Sequence, residues 1–260
     1  MKIAFITLSA EGAILFGELR KAFADADYFL HDKVEGEFAA RRFSRVADLT
    51  ATIFNQYEGL VYIAPSGAVV RAIAPHLRDK MTDPAVVQMD VGGRWAVSLL
   101  SGHEGGANDL AFAVANAIGA EPVISTSTDA SKNLIVGVGC RRGVEAERII
   151  DAIKTALADA DLTLRQVRCI ASADVKADET GLIEAARALG VPLRFIASEE
   201  IRKSTLDFEK SEFVEQSVNL PAVAEPAALL AGRRTSLLLR KRIFKGITVA
   251  IARERSLSLA

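Results

Sequence analysis

Short apolar runs of strand length alternate with segments whose apolar residues recur at helical spacing, which is the pattern of an α/β protein. In the first half this predicts strands over Lys2–Thr7, Tyr28–Leu30, Gly59–Ile63, Ala85–Asp90, Trp95–Leu99 and Pro122–Ser125. Helices are predicted over Ala13–Phe23, Val46–Phe54, Ala68–Ile73 and Asp109–Ile118. Val86–Met89 and Trp95–Leu99, joined by Asp90-Val91-Gly92-Gly93-Arg94, read as a hairpin, so the first sheet should be mixed and mostly parallel. A polar hinge, Ser125–Lys132, interrupts the rhythm. It restarts with strands over Leu134–Val138, Cys169–Ser172, Leu193–Ile196, Ser236–Leu239 and Ile247–Ile251, and helices over Glu145–Ala158, Asp178–Leu189 and Ala222–Leu230. The fold class expected is therefore two α/β domains joined by a short hinge, residues 1–130 and 131–260. Arg202–Gln216 is charged and weakly patterned, and no element is assigned to it.

With 260 residues and 50% hydrophobic content, the chain can build substantial cores. Its net charge of -1 argues against a broad basic surface for nucleic acid. Two cysteines, Cys140 and Cys169, make no disulfide framework and point to a reducing cytoplasm. The first apolar run meets Glu11 too soon for a signal peptide, and no run approaches the roughly 20 apolar residues of a membrane span.

Leu99-Leu100-Ser101-Gly102-His103-Glu104-Gly105-Gly106-Ala107-Asn108 places a hydroxyl, an imidazole, a carboxylate and an amide in one glycine-rich turn between a strand and a helix. A doubly wound sheet presents ligand-binding groups in such loops at its carboxyl edge. A tight turn with Asn108 as the helix N-cap would account for the glycines, yet it leaves His103 and Glu104 without a reason.

In the second half, Gly137-Val138-Gly139-Cys140-Arg141-Arg142-Gly143 has the outline of a dinucleotide fingerprint, but its spacing is wrong and arginines occupy the turn. A guanidinium pair there suits carboxylates or phosphates, and equally a solvated turn. Cys140 reads as a small turn residue, because the second half holds no histidine to activate it. In Asp174-Val175-Lys176-Ala177-Asp178-Glu179, Asp178 reads as an N-cap, which leaves Asp174 and Lys176 for ligand. Pro65-Ser66-Gly67, followed by Arg71, forms a third such loop with Ser66 as its N-cap. His31 and His76 have no partner at metal-binding spacing and read as ordinary surface or packing residues.

Seven ordered strings together resemble the cobalt-precorrin 5A hydrolase (CbiG) family. They are Ile73–Lys80, Thr82–Val87, Leu99–Asn108, Gly137–Gly143, Asp174–Glu179, Val223–Ala228 and Gly246–Arg253. The resemblance spans nearly the whole chain. It departs in the middle, where many members carry a segment and this chain runs from Ser125–Asp129 almost directly into Asn133. The resemblance implies a cytoplasmic enzyme of the anaerobic route to cobalamin, a part of porphyrin metabolism. Such an enzyme opens the δ-lactone of cobalt-precorrin 5A and releases acetaldehyde to give cobalt-precorrin 5B. The cobalt would be carried by the tetrapyrrole substrate, so no protein cofactor or metal site is expected.

That chemistry suggests His103 as general base and acid, with Glu104 orienting it or relaying protons. Ser101, Asn108 or glycine N–H groups would stabilise the oxyanion, and His103 touching the cobalt axially is an open alternative. Arg141, Arg142, Lys176 and Arg71 are candidates for a cationic rim, with Gly102, Gly105, Gly106 and Asp174 as further substrate contacts. Because these come from both halves, the site is expected in a cleft between them. No nucleic acid or membrane partner is expected; a homodimer is, with hand-over to neighbouring cobalamin-pathway enzymes. Two other readings stay open: a non-catalytic carrier of a corrinoid intermediate, and a nucleotide-binding protein resting on the Gly137 loop alone.

Overall fold

The computed structural model describes residues 1–209, 215 and 219–256. They divide into two compact units, Met1–Thr126 and Ser127–Ala260.

In the first unit seven strands form one sheet: β1 (Ile3–Thr7), β2 (Asp27–His31), β3 (Arg41–Phe43), β4 (Gly59–Ile63), β5 (Ala85–Met89), β6 (Trp95–Leu100) and β7 (Glu121–Val123). Their order is β3-β2-β1-β4-β5-β6-β7, and every neighbouring pair is parallel except β5 and β6. The exception is the predicted hairpin. Its turn closes on Asp90, whose carboxylate accepts the amides of Gly92, Arg94 and Trp95, while Gly93 takes a φ of 66°. Short β3, exposed and arginine-rich, escapes the hydrophobic pattern because it is an edge strand.

Helices α1 (Ala10–Ala22) and α4 (Ala107–Ile118) cover one face of this sheet, and α2 (Val46–Ile53) and α3 (Ser66–Ile73) the other. Alternate strand residues serve the two cores. Phe5, Val61, Ile63 and Val87 pack with α1 and α4, whereas Ala4, Ile6, Leu60 and Tyr62 pack with α2 and α3. Burial on both faces explains why these strands read as continuous apolar runs. Helix α1 begins at Ala10 rather than Ala13 because the Ser9 side chain accepts the Gly12 amide at 3.3 Å. Ser66 is not the cap of α3. It is the first helical residue, and its hydroxyl donates to Gln88.

The second unit carries β8 (Leu134–Cys140), β9 (Val167–Ala173), β10 (Leu193–Ile196), β11 (Thr235–Phe244) and β12 (Ile247–Glu254), in the order β10-β9-β8-β12-β11. Strands β8, β9 and β10 are parallel, β12 pairs antiparallel with β8, and β11 pairs antiparallel with β12. Helices α6 (Ala146–Ala158) and α7 (Thr180–Leu189) share a core with Val136 and Val138. Gly137, between those valines, faces the opposite side, where the helix α9 (Ala224–Leu230) packs. The predicted hinge contains a one-turn helix, α5 (Ser127–Ala130). Of the unassigned Arg202–Gln216 segment, the first residues close α8 (Ser198–Lys203), and 210–214 and 216 lie outside the described residues. Among the described residues no helix is long and apolar enough to cross a membrane.

Candidate functional site

Because β6 runs against β5, Leu100 lies opposite Val86 and Ala96 opposite Met89. The Ser101–Asn108 loop therefore stands at the edge where β1, β4 and β5 begin, not at their carboxyl ends as the doubly wound reading expects. The Pro65–Gly67 turn follows β4 and lies at the other edge, where Ala64 donates to the Met89 carbonyl. Arg71 folds back onto that turn, its guanidinium donating to the Gly67 carbonyl at 2.6 Å. The structure thus separates Arg71 from His103, and the antiparallel hairpin is the reason.

The loop is wound inward. The carbonyl of Ser101 accepts the amides of Gly105 and Ala107, and that of Gly102 accepts Asn108 N–H at 2.9 Å. Helix α4 begins at Ala107, and Gly106, with φ 83°, takes the N-cap position assigned to Asn108. Asn108 is instead a buried brace: it accepts from Ser98 Oγ at 2.7 Å and donates to Thr126 Oγ1 at 3.0 Å. A Cβ on Gly102 would lie 2.6 Å from Thr126 Cγ2, and one on Gly105 2.5 Å from Ser101 Cβ. These two glycines are therefore explained by packing against the protein itself rather than by approach of a ligand. Ser101 is left-handed, with φ 56°, which costs a non-glycine residue about 1–2 kcal/mol. It is 6% exposed, and its hydroxyl has no hydrogen-bond partner among the described residues.

His103 and Glu104 stand exposed at the loop's tip. Glu104 Oε1 accepts from Lys80 Nζ at 2.6 Å. That hydrogen bond, first among several causes that include the His103 charge, holds the Glu104 carboxyl below its ordinary 4.5. Sequence reading missed Lys80, which is 24 residues away with no spacing to reveal the pair. The Lys80 segment is itself pinned, because the Asp83 carboxylate accepts the Arg78 amide.

In the second unit, Arg141, Arg142, Asp174 and Lys176 do gather at one edge, where β8 and β9 end. Their roles differ. Arg142 donates to Asp178 at 2.8 Å and holds that carboxyl below its usual range. Asp178 is thus an ion-pair partner rather than an N-cap; Glu179 holds the cap position of α7 without a side-chain cap bond. Lys176, expected on an exposed rim, is 6% exposed, with its amine 3.8 Å from Glu179. Asp174 accepts the Ser198 amide and hydroxyl, which fixes the start of α8. Burial pushes the neighbouring Cys140 thiol up, with Lys176 acting in the opposite sense. Arg141 is exposed beside the β11–β12 turn, its Cδ 3.7 Å from where a Gly246 Cβ would sit, and Lys245 in that turn adds a cation the sequence did not point to.

Gly137 and Gly139 lie inside β8, not in a phosphate-binding loop. A Cβ on Gly137 would meet the Ala224 carbonyl oxygen at 1.9 Å, so close helix packing explains the glycine. The nucleotide reading loses its basis. His31 stacks edge-on against Phe43, and His76 lies against Phe54, as packing residues do.

Two family models match in chain order, cobalamin synthesis G N-terminal over residues 48–129 and cobalamin synthesis G C-terminus over residues 134–252. The chain belongs to the cobalamin synthesis G (CbiG) family. Only residues 130–133 separate the two matches, which agrees with the short hinge. The CbiG relatives include the cobalt-precorrin-5A hydrolase of Priestia megaterium, 26% identical over 352 aligned positions that cover 96% of this chain and 94% of the relative. The enzyme of the same name from Salmonella typhimurium strain LT2 is 24% identical, covering 79% and 84%. The protein CobE of a Sinorhizobium species is 36% identical over 129 residues, 48% of this chain and 83% of that one.

Proposed function

We propose that this CbiG protein is a cobalt-precorrin 5A hydrolase. It would open the substrate's δ-lactone and release acetaldehyde by cleavage of a carbon–carbon bond. The observation that carries the reading is the match of both halves to the family, over most of the length of relatives bearing that name. The cobalt belongs to the substrate.

Two groups at the tip of the first unit's loop suit the chemistry. Lactone opening needs a base for the attacking group and an acid for the departing alkoxide. The carbon–carbon step needs a base for the new hydroxyl. An imidazole titrates near neutrality and serves all three demands, so His103 takes that role. Glu104, kept ionised by Lys80, stabilises positive charge on the imidazole as it forms. The positive end of the α4 dipole favours the developing oxyanion. In the second unit, Arg141 and Lys245 match the acetate and propionate groups of a tetrapyrrole.

The test is anaerobic incubation of the purified protein with enzymatically prepared cobalt-precorrin 5A, trapping aldehyde as a hydrazone. Enzyme-dependent acetaldehyde with the matching corrinoid mass loss supports the hydrolase. Bound, intact substrate without acetaldehyde would make the protein a carrier of the intermediate instead.

A further inference from the structure

Five non-glycine residues among those described have left-handed backbone: Ser101, Asp161, Asn219, Arg234 and Lys245. Four are exposed turn residues, and Ser101 alone is buried. It is followed by Gly102 and, three residues later, by Gly105-Gly106, so a glycine-rich turn holds serine at a position where glycine would be unstrained. The same side chain carries a buried hydroxyl with no partner among the described residues. One substitution to glycine would relieve both burdens. Strain and an unsatisfied polar group meeting in one side chain point to a role outside the fold's own stability.

The surroundings specify that role. Ser101 is the first residue after β6, its carbonyl receives the Ala107 amide at the start of the twelve-residue α4, and His103 stands two residues on. Strained backbone at a serine that ends a strand is one feature of the turns that present serine nucleophiles, although here five residues separate Ser101 from α4. The other polar side chain buried in this loop, Asn108, is occupied by Ser98 and Thr126.

Building on the hydrolase reading, we propose that Ser101 Oγ is the group that attacks the lactone carbonyl. The Oγ–C bond forms as the hydroxyl proton passes to the His103 imidazole. The lactone acyl–oxygen bond breaks, and the departing alkoxide takes that proton back. The freed hydroxyl then loses its proton, the carbon–carbon bond cleaves to acetaldehyde, and its electron pair passes into the macrocycle, which takes up a proton. Water finally hydrolyses the seryl ester, returning Ser101 and a carboxylic acid. Oγ is buried in this conformation, so attack requires the Ser101–Asn108 loop to open.

The experiment uses the full chain and two readouts. The first is incubation with a fluorophosphonate and peptide mass spectrometry, which needs no tetrapyrrole. Phosphonylation is expected at Ser101 and absent from Ser101→Gly. The second is acid quench during turnover of cobalt-precorrin 5A, where a species of enzyme plus product minus one water should accumulate on Ser101. Ser101→Gly should melt no lower than the wild type yet lose turnover on the order of 10³-fold or more. An unlabelled Ser101, or a glycine variant with near-wild-type turnover, would overturn the proposal. A wild type that is labelled at Ser101 but forms no acetaldehyde would overturn the hydrolase reading and leave the nucleophile standing.

Discussion

Glu179 Oε1 accepts the Gly143 amide at 2.8 Å, and the same buried carboxylate lies 3.8 Å from the Lys176 amine. One side chain thereby ties together the two loops that follow β8 and β9. Arg142 repeats the tie from the surface, through Asp178 and the Val175 carbonyl. Removing one member of a buried pair strands the other's charge, so Glu179→Ala should destabilise the second unit by about 3 kcal/mol. Urea unfolding measures it, and a loss below about 1 kcal/mol would show the pair to be incidental.

His103→Ala should lower acetaldehyde release by roughly 10²–10⁴-fold, the range for loss of a general acid–base group. The side chain is exposed, so the melting temperature should hold. Unchanged turnover would remove His103 from the mechanism.

The two arginines should separate. Arg141→Ala is expected to weaken binding of the tetrapyrrole, read by titration, more than it slows the chemical step. Arg142→Ala, which loses the tie to Asp178, should also make the 141–143 loop more open to proteolysis.

Lys80→Met removes the hydrogen bond that lowers the Glu104 carboxyl. Glu104 should then titrate closer to 4.5, followed by NMR of its side-chain carboxyl carbon. With the folded value below the ordinary one, the pair's contribution to stability is present above 4.5 and is lost as pH falls through the folded value. Lys80→Arg should preserve the low value. An identical titration in Lys80→Met would separate the two residues.

Gly137→Ala should cost about 1–3 kcal/mol, because its Cβ would meet the Ala224 carbonyl oxygen at 1.9 Å. Gly17, inside α1 with nothing near its missing Cβ, should behave oppositely, Gly17→Ala stabilising by about 0.5–1 kcal/mol. Thermal or urea unfolding of the two variants compares them directly.

Much of the fold was legible because its signals are local. The hairpin at Asp90 announced itself through two apolar runs joined by a glycine turn, and the central strands through short, doubly buried runs. Capping was read less well. Asn108, Asp178 and Ser66 are all good capping residues by type, yet their side chains bond across the fold to Ser98 and Thr126, Arg142, and Gln88. Glycines misled in the same way. Gly102, Gly105 and Gly137 looked like room for a ligand, while in space their missing side chains make room for Thr126, Ser101 and Ala224.

By itself the sequence determined the alternation of strands and helices, the hairpin, the family, and the position of His103 and Glu104 in one turn, since each is written in neighbouring residues. Tertiary structure alone decided that β6 carries that turn to the edge opposite Arg71, that Lys80 reaches Glu104, that Lys176 is buried against Glu179, and that the Ser101 hydroxyl has no partner among the described residues. Strand direction and long-range pairing depend on which distant surfaces exclude water together, and no local pattern encodes that.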